Sequence, residues 1–153
     1  MGDFKYFKES SPSQSSCAVF LNPCFYSVKL YRISNFFYRK KMNVIAKIIW
    51  LINRIVFSVD IDFRAQIGKN FVLVHGIGVV IGCDVRIGEG VRIYQGVTLG
   101  GCGKQIKVDG EVLTQPIIGD NCIIYTNSCI FGPVRVADHK IVKACSVITQ
   151  DII

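Results

Sequence analysis

The 153-residue sequence predicts a mainly β fold, a parallel β-helix preceded by a short N-terminal α-helical segment. Three observations carry this. Aliphatic residues recur every six positions in the second half, and all 14 glycines except Gly2 lie beyond residue 60. Residues 24–57 hold neither Gly nor Pro, and their apolar residues recur at three and four.

In chain order, residues 1–16 are polar, contain the Ser-rich run ESSPSQSS, and read as a flexible arm. Residues 17–58 read as the helical segment. Tyr31, Phe36 and Phe37, then Ile45, Ile48, Ile49, Ile52 and Val56, predict two helices broken around Arg39-Lys40-Lys41. Residues 59–153 read as the β-helix domain, with an extruded loop over 101–116.

The repeat is regular enough to count. Positions 81, 87, 93 and 99, then 118, 124, 130, 136, 142 and 148, are all Ile, Leu or Val. Gly follows at 82, 88, 100 and 119, and a small or β-branched residue precedes by two at Val79, Val85, Val91, Val97, Cys122, Ser128, Val134 and Ser146. Ordinary strand alternation has period two and would not fix residues at sixths. Short strands stacked coil on coil bury an aliphatic face that no coil can bury alone. The glycines are expected at corners that need backbone freedom. Two interruptions stand out: Val74-His75-Gly76-Ile77-Gly78 shifts the phase by two residues, and Gly101 to Pro116 adds thirteen. An insertion on a rigid solenoid is a usual place for a binding site.

Composition excludes several classes. Half the residues are hydrophobic and 19% are charged, which excludes intrinsic disorder. Residues 1–59 carry nine Lys/Arg against two acids, and residues 60–153 carry nine against nine, so the basic excess is N-terminal. That charge interleaves with a core-like apolar pattern and no nucleic-acid motif, so no nucleic-acid partner is expected. The most apolar stretch, residues 44–59, is broken by Lys47, Asn53 and Arg54 and is too short to span a membrane. MGDFKYFKES is no secretory leader, and its serine stands too far from Gly2 for the myristoylation pattern. Seven cysteines without a CxxC suggest neither a disulfide framework nor a metal site, so a reduced cytoplasmic protein with no metal is expected. Cys122 fits a buried inert thiol, and Cys102, in a Gly-rich loop, is the cysteine expected to be exposed.

Two histidines are available for chemistry. His139 lies in ADHK and reads as a solvated turn residue. His75 lies in the insertion. A coil is about 18 residues, so Asp60 or Asp62 could stand beside His75 one coil away. A carboxylate on one imidazole nitrogen fixes the tautomer and leaves the other nitrogen as a base. The alternative is that His75 and Asp60 merely cap turns. Gly100-Gly101-Cys102-Gly103-Lys104 resembles a phosphate loop only loosely, because no strand-to-helix context surrounds it.

VDIDFRAQIG, VHGIGVVIG, VRIYQGVTLGGCGK and PIIGDNCIIYTNSCIFGPV together closely resemble the serine acetyltransferase family of hexapeptide-repeat acyltransferases. The resemblance covers residues 22–150, including NPCFYSVKLYRIS. It implies a left-handed β-helix, a homotrimer, and acetyl-CoA as co-substrate in the groove between chains. It implies His75 as general base, Asp60 as its orienting carboxylate, and backbone N–H groups for the oxyanion. It places Gly100, Gly101, Thr126 and Ala144 along the cofactor.

The acceptor positions depart from the family. Val74 stands where an Asp helps bind serine, and Leu113-Thr114-Gln115-Pro116 replaces Asp-Arg-His-Pro, so Val74 and Gln115 are the acceptor-facing candidates. An amino acid needs a cation for its carboxylate and an acid for its ammonium. The expected acceptor is therefore a neutral hydroxyl, such as a sugar of a surface polysaccharide. Serine O-acetylation for cysteine synthesis is the alternative, and a catalytically silent β-helix the third reading. The basic N-terminal helices read either as a trimer-building domain or as a peripheral contact with an anionic inner-membrane face.

Overall fold

The computed structural model describes residues 2–11, 13–108 and 110–153. Met1 and Pro12 of the expected arm, and Asp109 of the expected loop, lie outside the described residues. Four helices come first: α1 (Gly2–Ser10), α2 (Ser16–Phe20), α3 (Pro23–Arg39) and α4 (Asn43–Phe57). Asn22 caps α3 by accepting the Cys24 N–H at 2.9 Å, with Pro23 at the first helical position. Lys41, at φ 62°, turns the chain between α3 and α4, at the basic cluster where the sequence predicts a break.

The arm is not loose over residues 2–10. α1 buries Phe7 on the first coil, Tyr6 Oη donates to the Gly90 carbonyl, and Asp3 pairs with Arg32. Composition misses this because two aromatic anchors suffice to dock nine residues that are otherwise polar.

The coils are built from β1 (Asp60–Ile61), β2 (Gln66–Ile67), β3 (Val72–Leu73), β4 (Val80–Ile81), β5 (Arg86–Ile87), β6 (Arg92–Ile93) and β7 (Thr98–Gly100). The extruded hairpin β8 (Ile106–Val108) and β9 (Glu111–Leu113) follows. Then come β10 (Ile117–Ile118), β11 (Ile123–Ile124), β12 (Cys129–Phe131), β13 (Arg135–Val136), β14 (Ile141–Val142) and β15 (Val147–Ile148). Every third strand stacks in parallel. The three walls run β1-β4-β7-β12-β15, β2-β5-β10-β13 and β3-β6-β11-β14. The sixth-position aliphatics align across coils, as Ile81 with Leu99 and Ile93 with Ile124. They point inward and are buried from Ile81 to Val142, while Ile148 is half-buried on the last coil. The preceding small positions, Val79 to Val97, Cys122, Ser128 and Val134, fill the remaining interior.

Two of the repeat glycines, Gly88 and Gly119, serve close packing rather than turning, while Gly100 faces open space. A Cβ on Gly88 would stand 2.8 Å from the Asp120 backbone nitrogen. The Asp120 carboxylate, which caps the Glu89 N–H at 2.7 Å, occupies the same space. The left-handed corners fall two residues later and are held by Asn70, Asp84, Gly90, Gly96, Asn121, Asn127, His139 and Cys145. His139 is thus an exposed corner residue.

α3 ties the helices to the coils. Tyr31 is buried and its hydroxyl donates to the Ala65 carbonyl at 2.6 Å. Burial pushes its pKa up to about 12. An acid whose folded pKa is raised loses stability as pH rises from the unfolded value, near 10, towards 12. Tyr31→Phe should therefore cost about 1 kcal/mol at neutral pH. It should also flatten the loss of stability between pH 10 and 12 seen in denaturant titrations of the parent.

α4 is unusual. It buries Ala46 and Asn53, whose amide donates to the Ser27 carbonyl, while Val44, Ile48, Leu51, Ile52, Ile55 and Val56 are exposed on the single chain. No described helix is long and apolar enough to cross a membrane.

Candidate active site

The site grows from the two-residue insertion after β3. Val74 still keeps register, donating to the Ile93 carbonyl at 2.9 Å. Gly78 regains it, donating to the Ser58 carbonyl at 2.9 Å. The residues between must bulge. Gly76 packs against Val59, Leu73 and Cys24, and its N–H donates to Cys24 Sγ at 3.1 Å. Burial pushes the Cys24 thiol up, partly opposed by that hydrogen bond, so sulfur acts here as a neutral acceptor.

His75 is left exposed with φ at 142°, a backbone region that side-chain-bearing residues rarely occupy. Such strain costs about 1–3 kcal/mol and persists only where the surroundings impose it. Here the anchored neighbours Val74 and Gly76 impose it. His75 and Val74 line a cavity of about 350 Å³ between the first coil and the helices. Its other walls are Phe7, Ser10 and Ser11 at the end of α1, Asn22 and Cys24 at the start of α3, and Val72, Leu73 and Tyr94. No Asp, Glu, Lys or Arg lines it among the described residues.

The expected carboxylate–imidazole pair is not formed. Asp60 stacks on Val80 and is held by α4: Trp50 Nε1 donates to Oδ1 at 2.9 Å, and Arg54 pairs with Oδ2 at 3.2 Å. Asp62 is taken by Arg64, whose guanidinium donates to both carboxylate oxygens. The bulge carries His75 outward, while Asp60 points to the helix that precedes it. Trp50 and Arg54 stand four apart on α4; that spacing is visible in the sequence, but the target of the face they share is not.

The other candidates fall into two groups. Thr126 and Ala144 stack at one corner, with the Cys145 N–H donating to the Thr126 carbonyl at 2.9 Å and Thr126 Oγ1 donating to the Gln95 carbonyl at 3.1 Å. Tyr94 and Tyr125 stand at the same corner with ring centroids 4.9 Å apart. Gly100, Gly101 and Gln115 lie at the opposite edge of the β1-β4-β7-β12-β15 wall. There the Gln115 side chain occupies the space a Cβ on Gly101 would need, and its Oε1 is shielded without a hydrogen-bond partner among the described residues. Space is open at Gly100 and Ala144 is exposed, so a long extended ligand has small-residue ledges on both edges. Cys102 is exposed, but so are Cys17 and Cys145, against the expectation of one exposed cysteine; Cys122 is buried, with burial pushing its thiol up. Among the described residues no group of His, Cys, Asp or Glu is placed to hold a metal. Sequence reasoning misses Ser10, Asn22 and Cys24, which only the docking of α1 and α3 brings to His75, and Tyr94, which stacks one coil away beside Val74.

No family model matches the chain. A serine acetyltransferase of Staphylococcus epidermidis is 34% identical over 152 residues, covering 98% of this chain and 69% of the relative. One of Bacillus pumilus is 35% identical over 127 residues, covering 83% of this chain and 56% of the relative, so the chain spans little more than half that protein's length. Among solved structures, the Neisseria gonorrhoeae serine acetyltransferase superposes with a TM-score of 0.88 at 29% identity, over 99% of this chain and 58% of that one. Soybean serine acetyltransferase complexed with serine gives 0.87 at 30% identity, over 99% and 61%. A serine acetyltransferase in complex with CoA gives 0.88 at 24% identity, which bears on the fold alone. The coil is thus a left-handed parallel β-helix, as expected.

Proposed function

Since the chain belongs to the serine acetyltransferase family, we propose that it transfers acetyl from acetyl-CoA to an acceptor hydroxyl, with His75 as general base. The observation that carries this is His75 itself, exposed, backbone-strained and set in a cavity wall. An imidazole nitrogen of His75 takes the hydroxyl proton as that oxygen attacks the acetyl carbonyl. Acetyl-CoA supplies an acyl group already activated as a thioester. Gly100, Gly101, Thr126 and Ala144 would hold it along the open wall between the two corners. Asp60, held by Trp50 and Arg54, keeps lone pairs free on both oxygens and would orient the His75 imidazole from there.

Two acceptors are candidates, and the comparisons favour the first. The relatives are named serine acetyltransferases, which supports L-serine. The uncharged cavity, with Val74 at a divergent position in its wall, supports a neutral hydroxyl compound such as a sugar of a surface polysaccharide. Release of CoA thiol with L-serine, compared with methyl glucoside at equal concentration, separates them. Turnover of L-serine alone would remove the neutral-acceptor reading.

The exposed apolar stripe of α4 supports assembly into a homotrimer. The same stripe, beside Lys40, Lys41 and Lys47, supports contact with an anionic membrane surface as a second reading. A trimeric mass in solution, with no sedimentation on anionic vesicles, is the expected result.

A further inference from the structure

Asp60 and the bulge that carries His75 are both tied to the end of α4. Trp50 Nε1 donates to Asp60 Oδ1 at 2.9 Å, and Arg54 pairs with Oδ2 at 3.2 Å. The Arg54 guanidinium stands 5.6 Å from the Trp50 ring centroid, so the two side chains brace each other. Ser58, the left-handed residue that ends α4, accepts the Gly78 N–H at 2.9 Å, and the Asp60 N–H donates to the Val79 carbonyl at 2.9 Å. Gly78 and Val79 are the exit of the His75 bulge. Arg54, Ser58, Asp60, Gly78, Val79 and Val80 line one recess of about 240 Å³.

A carboxylate turns easily about its last side-chain bond. One donor on each oxygen removes that freedom and fixes its plane, yet each oxygen keeps a lone pair for a further donor. The clamp is a weak tie for packing. The Arg54 side chain is 55% exposed and that of Asp60 25%, and open ion pairs add little stability. What the clamp supplies is direction.

Resting on the proposed transfer with His75 as base, we infer that Trp50 and Arg54 are positioning residues for that base. They hold the Asp60 carboxylate in the plane from which its free lone pairs orient the imidazole. The other ring nitrogen is then left to take the acceptor proton. Neither side chain touches a substrate; both act through Asp60.

The test measures CoA release by the full chain and its variants, with L-serine and methyl glucoside as separate acceptors. Trp50→Phe keeps a ring and removes the donor. It should lower kcat about tenfold and leave the KM for acetyl-CoA unchanged, since about 1 Å of misplacement can cost about 10²-fold. Arg54→Met should do the same, and Arg54→Lys, which restores the cation, should recover most of the loss. Asp60→Ala should lose more than either. Adding Trp50→Phe to Asp60→Ala should cost less than about twofold more, because nothing is left to position. If Trp50→Phe fails to fold, the Arg54 variants carry the same cycle at an exposed side chain. Losses that multiply in the double variant, or that fall on the KM for acetyl-CoA, would make the clamp structural and overturn the inference. Asp60→Ala within a few-fold of the parent would overturn it and leave His75 standing as the base. No His75-dependent release with either acceptor would overturn both.

Discussion

His75→Gly should lose acetyl transfer by about 10³-fold while unfolding at no lower denaturant concentration than the parent. The first half follows from the role of the imidazole, since a positioned general base contributes about 10²–10⁴-fold. The second half follows from the backbone. His75 holds φ at 142°, which glycine adopts without steric penalty. Relief of about 1–3 kcal/mol of strain outweighs the roughly 0.5–1 kcal/mol that glycine's extra freedom costs, so the variant should be about 1 kcal/mol more stable. His75→Ala keeps most of the strain and should lose activity without that gain. The pair separates a residue retained for chemistry from one retained for packing. A turn-capping histidine would show the reverse, with stability falling and rate nearly intact.

Ile124→Ala should destabilise the chain by about 2–5 kcal/mol, enough to unfold a marginal domain. Ile124 is fully buried and aligns with Ile93 below and Val142 above. Its removal opens a void in a stack whose neighbours are fixed by backbone ladders, so the site can collapse little. Because each coil rests on the next, the loss should spread along the solenoid and lower the melting temperature as one transition. Ile148→Ala is the comparison. It packs on one side only, at the half-buried end of the stack, and should cost less than half as much.

The solenoid is legible in the sequence because its core is written locally. Each sixth residue faces inward whatever the rest of the chain does, so the positions from Ile81 to Val142 can be counted from the sequence alone. The break at Arg39-Lys40-Lys41 and the bulge at His75 are legible for the same reason, as departures from a regular period. What is not legible depends on contacts distant in sequence. α1 docks through Phe7 and the Asp3–Arg32 pair, which look like an ordinary polar arm. Asp60 stands at the spacing that suggests a partner for His75, yet Trp50 and Arg54 reach it first. The repeat glycines suggest turning, but Gly88 lacks a side chain because Asp120 of the next coil fills its place. The cavity at His75 is hidden because half its wall comes from helices outside the repeat.

Movement of acetyl from acetyl-CoA to a hydroxyl through His75 is measured most directly by continuous detection of free CoA thiol. L-serine, methyl glucoside and glycerol serve as separate acceptors. Acceptor-dependent release by the parent, absent in His75→Ala of equal secondary structure and equal CoA binding, is the predicted result. A folded parent that binds CoA and releases no thiol with any of these acceptors, or a His75→Ala variant within a few-fold of the parent, would contradict it.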